Sequence, residues 1–293
     1  MPAAIAFARR GIDVICDKPL AVTRAEAAQL EPVVAEHGTI FVLMHHACGF
    51  PMVRQARDMV ARGQLGDVRL VHVEHAAAFG TELVEAAGEG RMTWSTDPAL
   101  IGASAVLADV GVHAHHLCRY IVGDEFARVS ADLSTVVAGR GCDDNARVLF
   151  DMGRGAKGML WATFAAAGVR LGLQIRVFGT TGSIEWRQDE PDCLRVKPQK
   201  QPHYLLRKGE PWLCEAALDA GRVKAGQVEG QLEAFANVYS DAADLVRERR
   251  GGPAAPVSSR QCAGIVDGVL GMSFIAACAT SHAAGGAWTV IGP

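Results

Sequence analysis

Two short apolar runs near the start of the chain, "IDVICD" at 12–17 and "TIFVLMH" at 39–45, restrict its fold more than any other feature. Both are brief, apolar and bounded by turn signals, the pattern of strands buried on both faces. Between them, Thr23 and Glu26 form a capping box that opens a helix running to about Glu36, with Pro32 inside it and His37 and Gly38 as its stop. Strand, crossover helix and strand make one βαβ unit, expected to be parallel and right-handed. Residues 3–10 read as the end of a helix that stops near Gly11.

The rest of the chain reads differently. "PMVRQARDMVARGQLG" has helical spacing. In "DVRLVHVEHAA", Val68, Leu70, His72 and Glu74 alternate with Arg69, Val71, Val73 and His75, which predicts a half-exposed strand. Five more strand signals recur from about 128 to 187, separated by "AGRGCDD", "GRG" and "GTTG". Links of hairpin length imply an antiparallel sheet. Helical patterns at about 229–249 and 262–279 close the chain. The expected fold class is therefore α/β plus α+β. A partial parallel sheet at 1–48 precedes a larger domain at 49–293 with an open antiparallel sheet and helices, and the last helices pack back on the first unit.

With 293 residues, 49% hydrophobic and 21% charged, the chain can bury a sizeable core. A net charge of −3 without a basic run argues against a nucleic-acid partner; Arg247–Arg250 read as a solvated helix end. Eight scattered cysteines without a C-x-x-C pair suggest reduced thiols and a cytoplasmic setting. The longest apolar stretch, "GIVDGVLGMSFIAACA", carries Asp267 and three glycines, so no membrane span is expected.

Lys18 follows the first strand, at the edge where open α/β sheets bind ligands. The competing reading is a surface lysine with Asp17 as a turn residue. Asp109 and His113 are four apart and share a face if helical; the competing reading makes Asp109 an N-cap and His113 a satisfied histidine. His45, His46, His115 and His116 suit either a polar site or a packed domain junction. Their spacing is not that of a zinc site, and no metal is expected. Trp94 in "RMTWSTDP" is either a sugar platform or a lid anchor. "GTTGSIEW" reads as a hairpin turn, not a phosphate loop.

"DVICDKPLAVT" resembles the glucose–fructose oxidoreductase/inositol dehydrogenase/MocA (Gfo/Idh/MocA) family, whose hallmark is E-K-P at the end of a Rossmann strand; here Asp17 replaces the glutamate. "DVGVH" at 109–113 resembles its D-x-G-x-H segment, and "VFGTTGSIEW", "VEGQLEAFANVYSDAADLV" and "VDGVLGMSFIAA" resemble its sheet and C-terminal helices. The resemblance implies NAD or NADP as cofactor. It implies hydride transfer between nicotinamide and a secondary alcohol or ketone of a sugar, cyclitol or related polyol. Lys18, Asp109 and His113 would then handle the proton. Asp17, Lys18, Pro19 and His46 would lie by the cofactor, and Trp94, His116 and Gln227 by a small polar substrate. His46 and His116 depart from the family's usual amide and acid, and Gln227 from a frequent histidine. A homo-oligomer, dimer or tetramer, is implied through the open sheet face.

That family begins with a strand, a G-x-G-x-x-G turn and a helix, and no such turn precedes Asp17. The front of the Rossmann domain is read as missing: if the coding sequence extends upstream through such a turn, the chain is a shortened form of an ordinary enzyme, and if Met1 is the real start, NAD(P) binding is expected to be weak or absent. The alternative is a truncated, non-catalytic module for binding or oligomerisation. Its unpaired sheet edge would make the chain poorly soluble.

Overall fold

The computed structural model describes residues 1–87 and 96–292. Helix α1 (Pro2–Ala8) ends before Gly11, whose φ of +69° lies in the left-handed region. Strand β1 (Val14–Asp17), helix α2 (Arg24–His37) and strand β2 (Phe41–Met44) form the βαβ unit. β1 and β2 are parallel, from Val14 opposite Phe41 to Asp17 opposite Met44. The capping box is present: Thr23 Oγ1 accepts Glu26 N–H, and Glu26 Oε2 accepts Thr23 N–H. Gly38, at φ +57°, closes α2.

After β2 come α3 (Pro51–Ala61), β3 (Val68–Ala77) and, after the segment 88–95 outside the described residues, α4 (Val112–Val122). Strands β4 (Phe126–Ser134), β5 (Asn145–Met152), β6 (Lys157–Thr163), β7 (Leu171–Gly179), β8 (Gly182–Arg187), β9 (Cys193–Pro198) and β10 (Tyr204–Arg207) follow. Helices α5 (Gln231–Arg249) and α6 (Ile265–Ala283) and the short β11 (Thr289–Val290) end the chain.

Among the described residues the large sheet has the order β10-β9-β8-β7-β3-β6-β5-β4-β11. It is antiparallel at every join except β3 with β6, which is parallel. The short link from β6 to β7 predicts antiparallel strands, and their directions are antiparallel. β3, far away in sequence, inserts between them and must run parallel to one. "GTTG" is the β7–β8 hairpin turn.

β3 buries Val71, Val73 and His75 and leaves Leu70 55% exposed, so the alternation sorts into an inner and an outer face. α4 packs on the inner face, against β3, β6 and β7. α6 is long and apolar enough to cross a membrane, yet here it packs against α2, β2 and β4 and joins the small sheet to the large one. Arg249 at the end of α5 reaches back to Asp13 (3.0 Å), so the Arg247–Arg250 cluster partly serves as a tie. α3 is tied to α5 by the buried pair Arg54–Asp241 (2.6 Å). Gly49 is needed where α5 crosses: a Cβ there would stand 2.1 Å from Ala234 O.

Candidate active site

β1 ends at Asp17, whose Oδ1 accepts the Lys18 backbone N–H (2.9 Å); the Lys18–Pro19 peptide is cis. Lys18 therefore stands at the edge of the parallel sheet, one residue past the end of β1. Its ammonium donates to Asp109 Oδ1 (3.0 Å) and to Asp109 O (2.5 Å), with Lys18 14% and Asp109 6% exposed. Asp109 sits in a wide π-turn, Leu107–Gly111, that runs directly into α4.

The N-cap role that the spacing offered to Asp109 is filled elsewhere. Asp143, in the β4–β5 loop, accepts Ser104 Oγ–H (2.5 Å) and the N–H groups of Ala105 (2.9 Å) and Val106 (3.3 Å). Ser104 Oγ accepts Leu107 N–H (3.2 Å). Asp109 is thereby left to face Lys18.

His113, at the start of α4, lies among three imidazoles from two other places, the segment after β2 and strand β3. Ring centroids are 5.0 Å to His46, 5.5 Å to His45 and 5.5 Å to His75. His46 stacks on Phe235 of α5 at 5.4 Å and accepts the Gln188 amide (3.4 Å). Burial holds all these imidazoles neutral. His46 and His75 are each lowered to about 4. His113 falls well below its ordinary range through burial, then the Lys18 charge and the neighbouring rings. The ring atoms His113 Nδ1, His45 Nδ1 and His75 Nε2, with Gln188 Oε1, are buried without a hydrogen-bond partner. Such groups are costly to bury unpaired.

The structure brings Lys18, Asp109, His113 and His46 together, with Asp17 and Pro19 flanking at the sheet edge. His116 is set behind them, stacked on His45 at 4.2 Å and lowered to about 3; it lines a separate cavity with Arg57, Arg119 and Gln261. His115 packs on Phe274 in the core. Gln227 is exposed and lines a cleft with Asp189, Asp192 and Arg207. Trp94 lies outside the described residues. Among the described residues no cluster could hold a metal ion.

Sequence reasoning did not single out His75, Gln188, Phe235 or Asp143. For His75 a signal existed, its inward place in the β3 alternation. The others meet the site only through long-range packing.

A family model described as the GFO/IDH/MocA C-terminal domain matches residues 53–185. "Uncharacterized oxidoreductase YfiI" of Bacillus subtilis is 30% identical over 95% of this chain and 71% of its own length. The chain belongs to the Gfo/Idh/MocA family. Within this family, a crystal structure of an oxidoreductase from Sinorhizobium meliloti matches with a TM-score of 0.87 and 39% identity, over 98% of this chain and 75% of that one. An inositol dehydrogenase homologue from Azotobacter vinelandii, solved with NAD+, has a TM-score of 0.91 and 32% identity over 99% and 75%. Levoglucosan dehydrogenase of Pseudarthrobacter phenanthrenivorans is 27% identical over 66% of this chain and 54% of its own length.

Proposed function

We propose that this chain acts as an NAD- or NADP-dependent oxidoreductase on a secondary alcohol, or the corresponding ketone, of a sugar, cyclitol or related polyol. The observation that carries the reading is the Lys18–Asp109 pair at the edge of the parallel sheet, with His113 one turn further on. The names of the inositol and levoglucosan relatives support the substrate class.

The cofactor, when bound, supplies the hydride acceptor. The protein's share is charge and proton handling. The Lys18 ammonium stabilises negative charge developing on the alcohol oxygen, and Asp109 holds that ammonium in place. His113, kept neutral by burial, accepts the hydroxyl proton. The unpaired ring nitrogens and Gln188 Oε1 give a ligand with several hydroxyls several partners.

The nicotinamide end of the cofactor fits this edge, where Lys18 projects beside His46. A pyrophosphate cradle is not part of it. The turn after β1, Lys18–Thr23, holds no glycine and includes Pro19, which has no N–H to offer. The second reading is a non-catalytic module for binding or oligomerisation. Tryptophan quenching by NADH and NADPH separates the two. Saturable quenching, with turnover of myo-inositol or levoglucosan, supports the enzyme; no quenching at millimolar cofactor supports the module.

Self-association belongs to both readings. The open sheet face carries an apolar cleft lined by Leu149, Met159 and Trp161, with Leu149 48% and Met159 53% exposed. A second copy of the chain is its proposed cover.

A further inference from the structure

We infer that His75 is a positioning residue for the Lys18–Asp109 pair: it clamps the π-turn that carries Asp109 at the peptide unit next to the one Lys18 holds. The inference rests on reading Lys18 and Asp109 as one functional unit.

Two consecutive carbonyls of the π-turn accept side-chain donors from two different sheets. Asp109 O accepts Lys18 Nζ (2.5 Å), which comes from the end of β1 in the small parallel sheet. Val110 O is 3.0 Å from His75 Nδ1, on the inner face of β3 in the large sheet. The turn is therefore held from both sheets at adjacent peptide units. π-turns interrupting α-helices are rare and concentrate at functional sites. An ordinary α-helix advances about 100° per residue. A wider turn advances less, so Asp109 and His113, four apart, come more nearly onto one face. A side chain that fixes the wide turn therefore fixes both the acid and the imidazole.

The contact also settles the state of His75. A carbonyl oxygen only accepts, so Nδ1 must carry the hydrogen. Nε2 is then a bare lone pair, buried and without a protein partner, in a ring 5.5 Å from that of His113. Burial lowers His75 to about 4, which keeps the ring neutral at neutral pH, and the bond to Val110 O selects the Nδ1–H tautomer. A hydrophobic residue would fill the same inner-face position of β3 without the bond, so packing alone does not account for a histidine there.

The test uses readouts that need no turnover. Nitrogen-15 NMR of the full chain at pH 7 reports the His75 tautomer, and acetic anhydride labelling followed by peptide mass spectrometry reports Lys18 accessibility. The Nδ1–H tautomer is expected, and an Nε2–H tautomer would overturn the clamp. In His75→Asn the amide nitrogen stands near the place of Nδ1, so Lys18 labelling should stay within about twofold of wild type. His75→Leu and His75→Gln, which lose or displace that donor, should label Lys18 at least fivefold faster. If Leu unfolds the protein, Gln carries the comparison. Wild-type labelling in a folded Gln or Leu variant, or no rescue by Asn, contradicts the proposal. Because labelling does not depend on hydride transfer, failure of the clamp is distinguishable from failure of the dehydrogenase reading.

Discussion

Lys18 and Asp109 are 91 residues apart, and their side chains form an ion pair at 3.0 Å. Replacing Lys18 by Met leaves the Asp109 carboxylate in a nearly buried place without its counter-charge. Breaking a pair of this kind costs about 3 kcal/mol. The double change Lys18→Met with Asp109→Asn should recover most of that stability in urea unfolding, while turnover stays low by at least 100-fold. If the double variant is as unstable as the single one, the pair is not an electrostatic unit. Lys18, Asp109 and His113 were singled out because their short motifs, an acid, lysine and proline after a strand and an acid and histidine four apart, resemble the family's; without that resemblance each motif reads as readily as a turn or a helix cap. Phe235 and Gln188 were not, because nothing near them in sequence reports that α5 and the end of β8 meet His46. Gln227, carried over by its position in the chain, is exposed in a cleft with Asp189 and Arg207.

At the scale of elements, α4 and its π-turn depend on a cap supplied from another strand pair. Asp143 takes one hydroxyl and two backbone N–H groups at the head of this helix. Asp143→Ala should cost about 1–2 kcal/mol, measured by thermal or urea unfolding. An unchanged midpoint would mean that Ser104 caps the helix unaided. Helix α2 was readable in advance to within a residue, since its capping box and Gly38 are local signals. The placing of β3 between β6 and β7 was not, because a parallel join between strands so far apart leaves no mark in either strand's own pattern. The buried imidazoles of β3, α4 and the turn after β2 set a pH dependence at the same scale. His46, His75 and His116 are lowered by burial to about 4, 4 and 3, against about 6.5 in the unfolded chain. As pH falls from 6.5 toward 4, the unfolded chain takes up protons that the folded one refuses. Stability present above pH 6.5 is therefore lost, on the order of 1.4 kcal/mol per pH unit for each imidazole. The melting midpoint should fall steadily between pH 7 and 5, and His116→Phe should make that fall shallower. A midpoint flat across this range would contradict the assignment of these groups as neutral.

For the whole molecule, two surfaces invite association. One is the open face of the large sheet around Leu149 and Met159. The other is the β1 side of the small sheet, where Phe7, Ile12 and Ile15 are 48%, 46% and 43% exposed. Parallel strands are ordinarily covered on both faces and paired on both edges. Light scattering should therefore show a species larger than a monomer. Leu149→Lys with Met159→Lys should reduce it if the large face is the interface, and Ile15→Lys should do so if the edge is. A monomer in the wild type would refute the expectation.

The most direct measurement is nicotinamide-dependent oxidation of myo-inositol and levoglucosan, followed as NADH and NADPH absorbance in wild type and Lys18→Met. The account predicts turnover of at least one such polyol by the wild type and a loss of 100-fold or more in the variant. Full activity in Lys18→Met, or no oxidation by a wild type that binds the cofactor, would contradict the assignment of this site.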